Sequence, residues 1–135
     1  MQLSKKDKFA RKALMTLALY SSLISASTEE TDAIESELKL VVEEINKHTP
    51  KRIDDNSKLM LVEQEAAKLI YIMQLNGKVE DRGLFKEKTQ QVITSNLCKD
   101  ESHTYFIENN IEIEYKYLDF EGVPVARFSV DLTTC

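Results

Sequence analysis

Cys98 and Cys135, His48 and His103, and the carboxylate pairs Asp54–Asp55 and Glu63/Glu65 are the side chains whose type and spacing come nearest to chemistry in this chain. The two imidazoles are far apart in sequence. His48 stands at the expected end of a helix, where a cation is stabilised by the helix dipole. His103 lies in a polar Asp-Glu-Ser-His run, and its neighbour Ser102 is adjacent only along the chain, whereas a nucleophile and its base are assembled in space. The carboxylates have the right chemistry for acid–base work. A small hydrolase could be built on Asp54 and nearby Glu residues. As connector and turn residues, however, these carboxylates read first as capping or solvated groups. No Gly-rich phosphate loop, serine elbow or zinc-type spacing occurs. The expectation is a chain that is not an enzyme and carries no cofactor or metal.

The cysteines offer a different chemistry. No C-x-x-C pair exists, so a redox motif is excluded. An even count of two reads as one disulfide in an exported chain and as two thiols in a cytosolic one. A Cys98–Cys135 bond would staple a C-terminal strand to the end of the helix that covers it. On the chain-entropy model it contributes about 3–4 kcal/mol.

Composition narrows the class. The 135 residues make one domain's worth of chain, 42% hydrophobic, with three Gly and two Pro, so long flexible linkers are not expected. The net charge is −5, yet the segment up to Ala26 carries Lys5, Lys6, Lys8, Arg11 and Lys12 against a single Asp7. The remainder is therefore strongly acidic and would repel a phosphate backbone, which argues against nucleic-acid binding. A basic start, the uncharged run Ala13–Ile24 and the small residues Ser25-Ala26-Ser27 have the order of a secretory signal peptide. The apolar run is short of the roughly 20 residues a membrane span needs. Residues 1–26 are thus read as a signal peptide or N-terminal anchor helix, and 27–135 as a single domain. The competing reading is a packing helix with Phe9, Ala13, Leu17 and Tyr20 on one stripe. If the segment stays attached, its positive end remains in the cytoplasm and it holds the domain at the membrane's outer face.

Elements follow from periodicity. Ser27 and Glu30 fit a capping box, and Ile34, Leu38, Val41/Val42 and Ile45 repeat at helical spacing, predicting a helix over about 28–47 that Pro50 cannot continue. Lys51–Asn56 reads as a connector. Residues 57–75 fit either a hairpin turning at 64–67 or one helix. Helices are expected over about 80–97 and 101–108, the second capped by Asp100. Ile111, Ile113, Tyr115 and Tyr117 alternate on one strand face, and Ala126, Phe128, Val130 and Leu132 do so on the return strand after a turn at Asp119–Gly122. Two strands need helices over their apolar face, which gives an α+β domain with an antiparallel sheet.

Pro50, Ile53, Asp54, Leu59, Tyr71, Cys98, Tyr115, Tyr117, Asp119, Gly122, Val130 and Cys135 together form a pattern that covers residues 50–135. It resembles a group of small, uncharacterised bacterial envelope proteins with a C-terminal Tyr-x-Tyr-x-Asp-x-x-Gly hairpin and a terminal Cys. The group's usual Gly before the third strand is Asn110 here, which also tolerates positive φ. The resemblance implies strand–strand–helix–strand–strand order, hence a hairpin at 57–75 and a four-stranded antiparallel sheet behind N-terminal helices. It implies a periplasmic domain or one at the outer face of the inner membrane, and no activity. Lys51 and Arg52 make a small basic patch, and Glu112, Glu114, Lys116 and Arg127 fall on the sheet's outer face; these six are the candidate partner surface. The function expected is a non-enzymatic accessory or binding domain of the envelope acting on an unidentified protein, as a secretion assembly factor or an immunity protein. The alternatives are a cytosolic regulator or chaperone working through the first helix, and the hydrolase at Asp54.

Overall fold

The computed structural model describes residues 19–135, with side chains from Thr31 onward. Residues 1–18, and with them most of the segment read as a signal or anchor, lie outside the described part. The chain falls into two units, 1–33 and 34–135, and the second carries the whole sheet. Among the described residues no helix is long and apolar enough to cross a membrane.

Helix α1 spans Leu19–Asn46. The expected start near residue 28 is corrected: the helix runs through the Ser27–Glu30 box. No Gly or Pro breaks the stretch before it, so the box has no free N–H groups to cap. The end falls where Pro50 requires. Lys47 and His48 donate back to the carbonyls of Glu44 and Ile45, and the Thr49–Pro50 peptide is cis.

The strands are β1 (Lys51–Arg52), β2 (Ser57–Glu65), β3 (Lys68–Leu75), β4 (Glu112–Leu118) and β5 (Pro124–Val130). Helices α2 (Arg82–Lys99) and α3 (Ser102–Glu108) join β3 to β4, and a 3-10 turn at Leu132–Thr134 closes the chain. The order across the sheet is β1-β2-β3-β4-β5. The α+β class holds, and the hairpin at 57–75 is present, turning at Ala66-Ala67 with Glu65 opposite Lys68. Two details of the four-stranded antiparallel sheet are corrected. The two-residue β1, too short to show a period, pairs with Leu59 and Lys58 and makes a fifth strand. The pair β3–β4 is parallel, so the sheet is mixed. A connection carrying two helices returns β4 to the end where β3 began, and only parallel pairing then fits.

One face of the sheet forms the core. Leu59, Val62, Leu69, Met73, Ile113, Tyr117, Phe128 and Val130 are buried there together with Leu38 of α1. A bulge between Leu59 and Leu61 shifts the strand's phase, so that Leu59 and Val62 both point inward. Ile34, Val42 and Ile45 of α1, Phe85, Ile93 and Leu97 of α2, and Tyr105 and Phe106 of α3 pack on the same core. Asp81 caps α2 by accepting from the Leu84 N–H at 2.9 Å.

The open edge of β2 is closed by α1. The Asn46 amide donates to the Val62 carbonyl at 2.8 Å and accepts from the Val62 N–H at 2.8 Å. Gln64 donates to the Glu35 carbonyl at 2.8 Å. At Val62 the Asn46 side chain thus takes the place of a strand partner, which blunts a template for pairing with another chain. Replacing Asn46 by Ala is expected to destabilise the fold by about 1–3 kcal/mol and to promote aggregation at the freed edge. Urea unfolding and light scattering check this, and a variant equal to wild type in both contradicts it.

Cys98, near the end of α2, is bonded to Cys135 with a Cα separation of 5.4 Å, inside the range a disulfide spans without backbone movement. The bond closes a sequence separation of 37 residues and ties the C-terminal turn, with buried Leu132, to the helix. Cys135→Ser should lower unfolding stability by about 3–4 kcal/mol, measured in urea on the oxidised wild type and the variant. Coincident unfolding midpoints would contradict a structural role for the bond.

Candidate functional site

Helix α2 covers the sheet incompletely. None of its residues is fully buried. Its C-terminal end is tied by the disulfide, and Gln90 in its middle donates to the Ser129 carbonyl of β5 at 2.8 Å. The helix therefore leans over β5, and the part of the core face nearer β2 is left open. The result is a groove of about 500 Å³. Its floor is Leu59, Tyr71, Met73, Leu75, Tyr115 and Tyr117; one wall is α2 with Phe85, Lys88, Thr89, Val92, Ile93 and Asn96; the other is the β1–β2 loop with Ile53, Asp54, Asn56 and Ser57.

The rim is apolar and wet. Val92 is 58% exposed, Ile53 52% and Leu84, just beyond the groove, 47%. Leu84 and Val92 each adjoin a core-packed residue, Phe85 and Ile93, yet both stay largely open to water. Apolar residues flanking a concave apolar floor are the usual mark of a site that receives another molecule.

The aromatic floor is rigid. Tyr71 and Tyr115 are directly paired across β3 and β4, with rings stacked at 5.0 Å. Tyr117 lies 6.3 Å from Tyr115 and 6.1 Å from Phe128, and it meets the edge of Phe85 at 5.3 Å. Burial pushes the Tyr71 and Tyr115 phenols upward, and burial with the nearby charge of Asp54 pushes Tyr117 up to about 12. All three stay protonated at neutral pH. Asp54 itself braces the loop: one carboxylate oxygen accepts from the Asn56 N–H at 2.8 Å and the Ser57 hydroxyl at 3.0 Å.

Of the residues singled out from the sequence for chemistry or partner contact, Asp54 lines the groove and the six of the candidate partner surface do not. Glu112, Glu114, Lys116 and Arg127 stand on the face opposite the core; Lys51 and Arg52 are on β1, the edge strand beside β2, where Arg52 pairs with Asp55 at 2.8 Å. Glu114 is only 5% exposed. It is held by Lys68 at 2.9 Å and by Arg127, with Glu112 3.9 Å from Lys68. Lys116 has no ion-pair partner among the described residues. Glu63 and Glu65 are exposed β2 residues, His48 faces Glu44, and the His103 ring contacts the Asp100 carbonyl. Among the described residues no group of three His, Cys, Asp or Glu side chains could hold a metal. The groove was missed because a core face left open has the same periodicity as one that is covered. The one available signal was three tyrosines, which carry a polar tip, on the face expected to be dry.

An α+β domain with a single helical face and an open groove beside α2 is the class that fold and site define. No protein-family profile matches the chain, and no curated protein sequence does. Solved structures share the fold. A protein from Pseudomonas aeruginosa described as secreted superposes with a TM-score of 0.66 at 14% identity, covering 78% of this chain and 96% of that one. The type II secretion system pilotin AspS from Vibrio cholerae gives 0.65 at 14% identity, covering 82% and 99%. The type 2 secretion pilotin EpsS from Vibrio vulnificus gives 0.65 at 14% identity, covering 80% and 96%. At this identity the likeness is one of fold.

The ion cluster on the outer face makes stability depend on acid. Burial opposes the charge on Glu114, but hydrogen bonds from Lys68 and Arg127 outweigh it and hold the carboxyl below its ordinary value. A lowered pKa contributes stability that is present above the ordinary value of about 4.3 and lost as pH falls through the folded one. Glu114→Gln should cost about 1 kcal/mol at neutral pH, modest because Arg127 is open to water, and the gap to wild type should close in acid. Urea unfolding from pH 7 to pH 3 reads this out; a gap that does not change with pH contradicts it.

Proposed function

We propose that this chain is a non-enzymatic accessory protein of the bacterial cell envelope that holds an apolar segment of a partner protein in the groove beside α2. The groove carries the reading: a preformed apolar trough with exposed aliphatic rims is shaped for side chains that none of the described residues supplies. The fold, shared with two secretion pilotins and a protein described as secreted, supports the same reading, and favours an assembly factor for a secretion machine over an immunity protein. The Cys98–Cys135 bond suits an oxidising compartment. Residues 1–26, as signal or anchor, and the C-terminal Tyr-x-Tyr-x-Asp-x-x-Gly pattern of the envelope group agree with a periplasmic domain or one at the outer face of the inner membrane.

Two earlier candidate surfaces are less suited. Strand addition at β2 would have to displace Asn46 from Val62, and the outer face has its central carboxylate already neutralised. The hydrolase reading asks for a second carboxylate or an imidazole beside Asp54, and the described groove lining offers neither.

A photo-crosslinking residue at Val92, in cells carrying the full chain, should give one discrete adduct in the envelope fraction. Adding Ile53→Glu should abolish it, and the same crosslinker at Glu63 on the outer face should give none. An adduct from position 63 alone, or none from position 92, would contradict docking in the groove.

A further inference from the structure

The floor of the groove and its α2 wall are held by different means. The floor lies on strands that share a core with α1, and the most deeply buried side chains there are Leu38, Val62, Leu69 and Ile113. Helix α2 adds no fully buried residue to that core. An element with few buried apolar contacts opens locally at lower cost than the sheet beneath it. The second half of α2 depends instead on ties to the chain beyond β4. Gln90 reaches the Ser129 carbonyl through one exposed hydrogen bond, and Cys98 is bonded to Cys135. Leu97, which lines the groove, directly precedes Cys98, so the covalent tie acts at the wall itself.

The bond is open to attack, because Cys135 is exposed and Cys98 only half-buried. Exposed disulfides are the labile and regulatory ones. We infer that the Cys98–Cys135 bond is a redox switch on the groove: oxidised, it fixes the second half of α2 as a wall; reduced by a dithiol, it frees that half from the sheet and the groove loses its occupant. A thiolate of the dithiol attacks the Cys135 Sγ, the Sγ–Sγ bond breaks and Cys98 leaves as a thiolate. The second thiol of the donor then attacks the mixed disulfide and frees Cys135. The donor ends as a disulfide, and its two electrons and two protons end on the cysteine thiols. The sheet stays folded, since the core under β2, β3 and β4 does not include the bond. The inference rests on the docking role proposed above and adds how the occupant is released.

Hydrogen exchange read by mass spectrometry on the full chain, oxidised and after treatment with dithiothreitol, tests it. Reduction should speed exchange over residues 92–99 by roughly tenfold or more, while 111–118 on β4 stays as protected as before, and reoxidation should reverse the change. The double variant Cys98→Ser with Cys135→Ser should exchange like the reduced chain under both conditions. In cells, the same double variant carrying the photo-crosslinker at Val92 should lose the adduct that the bonded chain gives. Equal exchange over 92–99 in the two states overturns the inference. Loss of protection over 111–118 as well also overturns it, because the bond then only holds the fold together. An adduct that persists without the bond overturns the inference and leaves the docking role standing. No adduct from the bonded chain overturns the docking role and the inference with it.

Discussion

The parallel pairing of β3 with β4 is the constraint on which the rest of the structure depends. Antiparallel neighbours can be joined by a tight turn, as β2–β3 and β4–β5 are, but a parallel neighbour needs a crossover long enough to return to the strand's starting end. The chain between Leu75 and Glu112 meets that need with α2 and α3, and both pack on the same core as α1. Three helices then share one face while the other is left to charged side chains. Because α2 is tied at Cys98 to the chain end beyond β5 and at Gln90 to β5 itself, it covers the β5 side of the sheet and leaves the floor beside β2 open.

That asymmetry separates the surfaces of the molecule by what they can do. At the β2 edge Asn46 occupies the backbone groups of Val62, and the Gln64 side chain ties the strand to α1 at Glu35. The outer face is a charged lattice in which Glu114 sits between Lys68 and Arg127, two cations for one buried anion. In the groove, by contrast, aliphatic side chains on both walls face water across a stacked aromatic floor. Burial of such apolar surface is the general driving force for association, and few other places among the described residues concentrate it.

Much of the fold was legible because local pattern decides it. The alternation over 111–117 placed Ile113, Tyr115 and Tyr117 on the core face; Gly122, at φ 84, makes the turn its position required; Pro50 ends α1; and the two cysteines meet. What was not legible lies in relations between distant segments. Strand direction at β3–β4 is set by the crossover, not by either strand. The two residues of β1 are too few to show a period, and Ser27–Glu30 has the composition of a helix start within a continuing helix. The depth of Glu114 depends on Lys68, which only the parallel register brings alongside it. The groove itself was invisible for a related reason: Val92 and Ile93 have the same spacing whether a core or a partner covers them.

A crystal structure of the oxidised chain with a bound partner segment tests the central claim most directly. The account predicts the segment lying along the Leu59–Tyr71–Tyr117 floor, with its apolar side chains between Val92 on α2 and Ile53 on the loop. A segment added as a strand at the β2 or β5 edge, or seated on the face that carries Glu114, would contradict it.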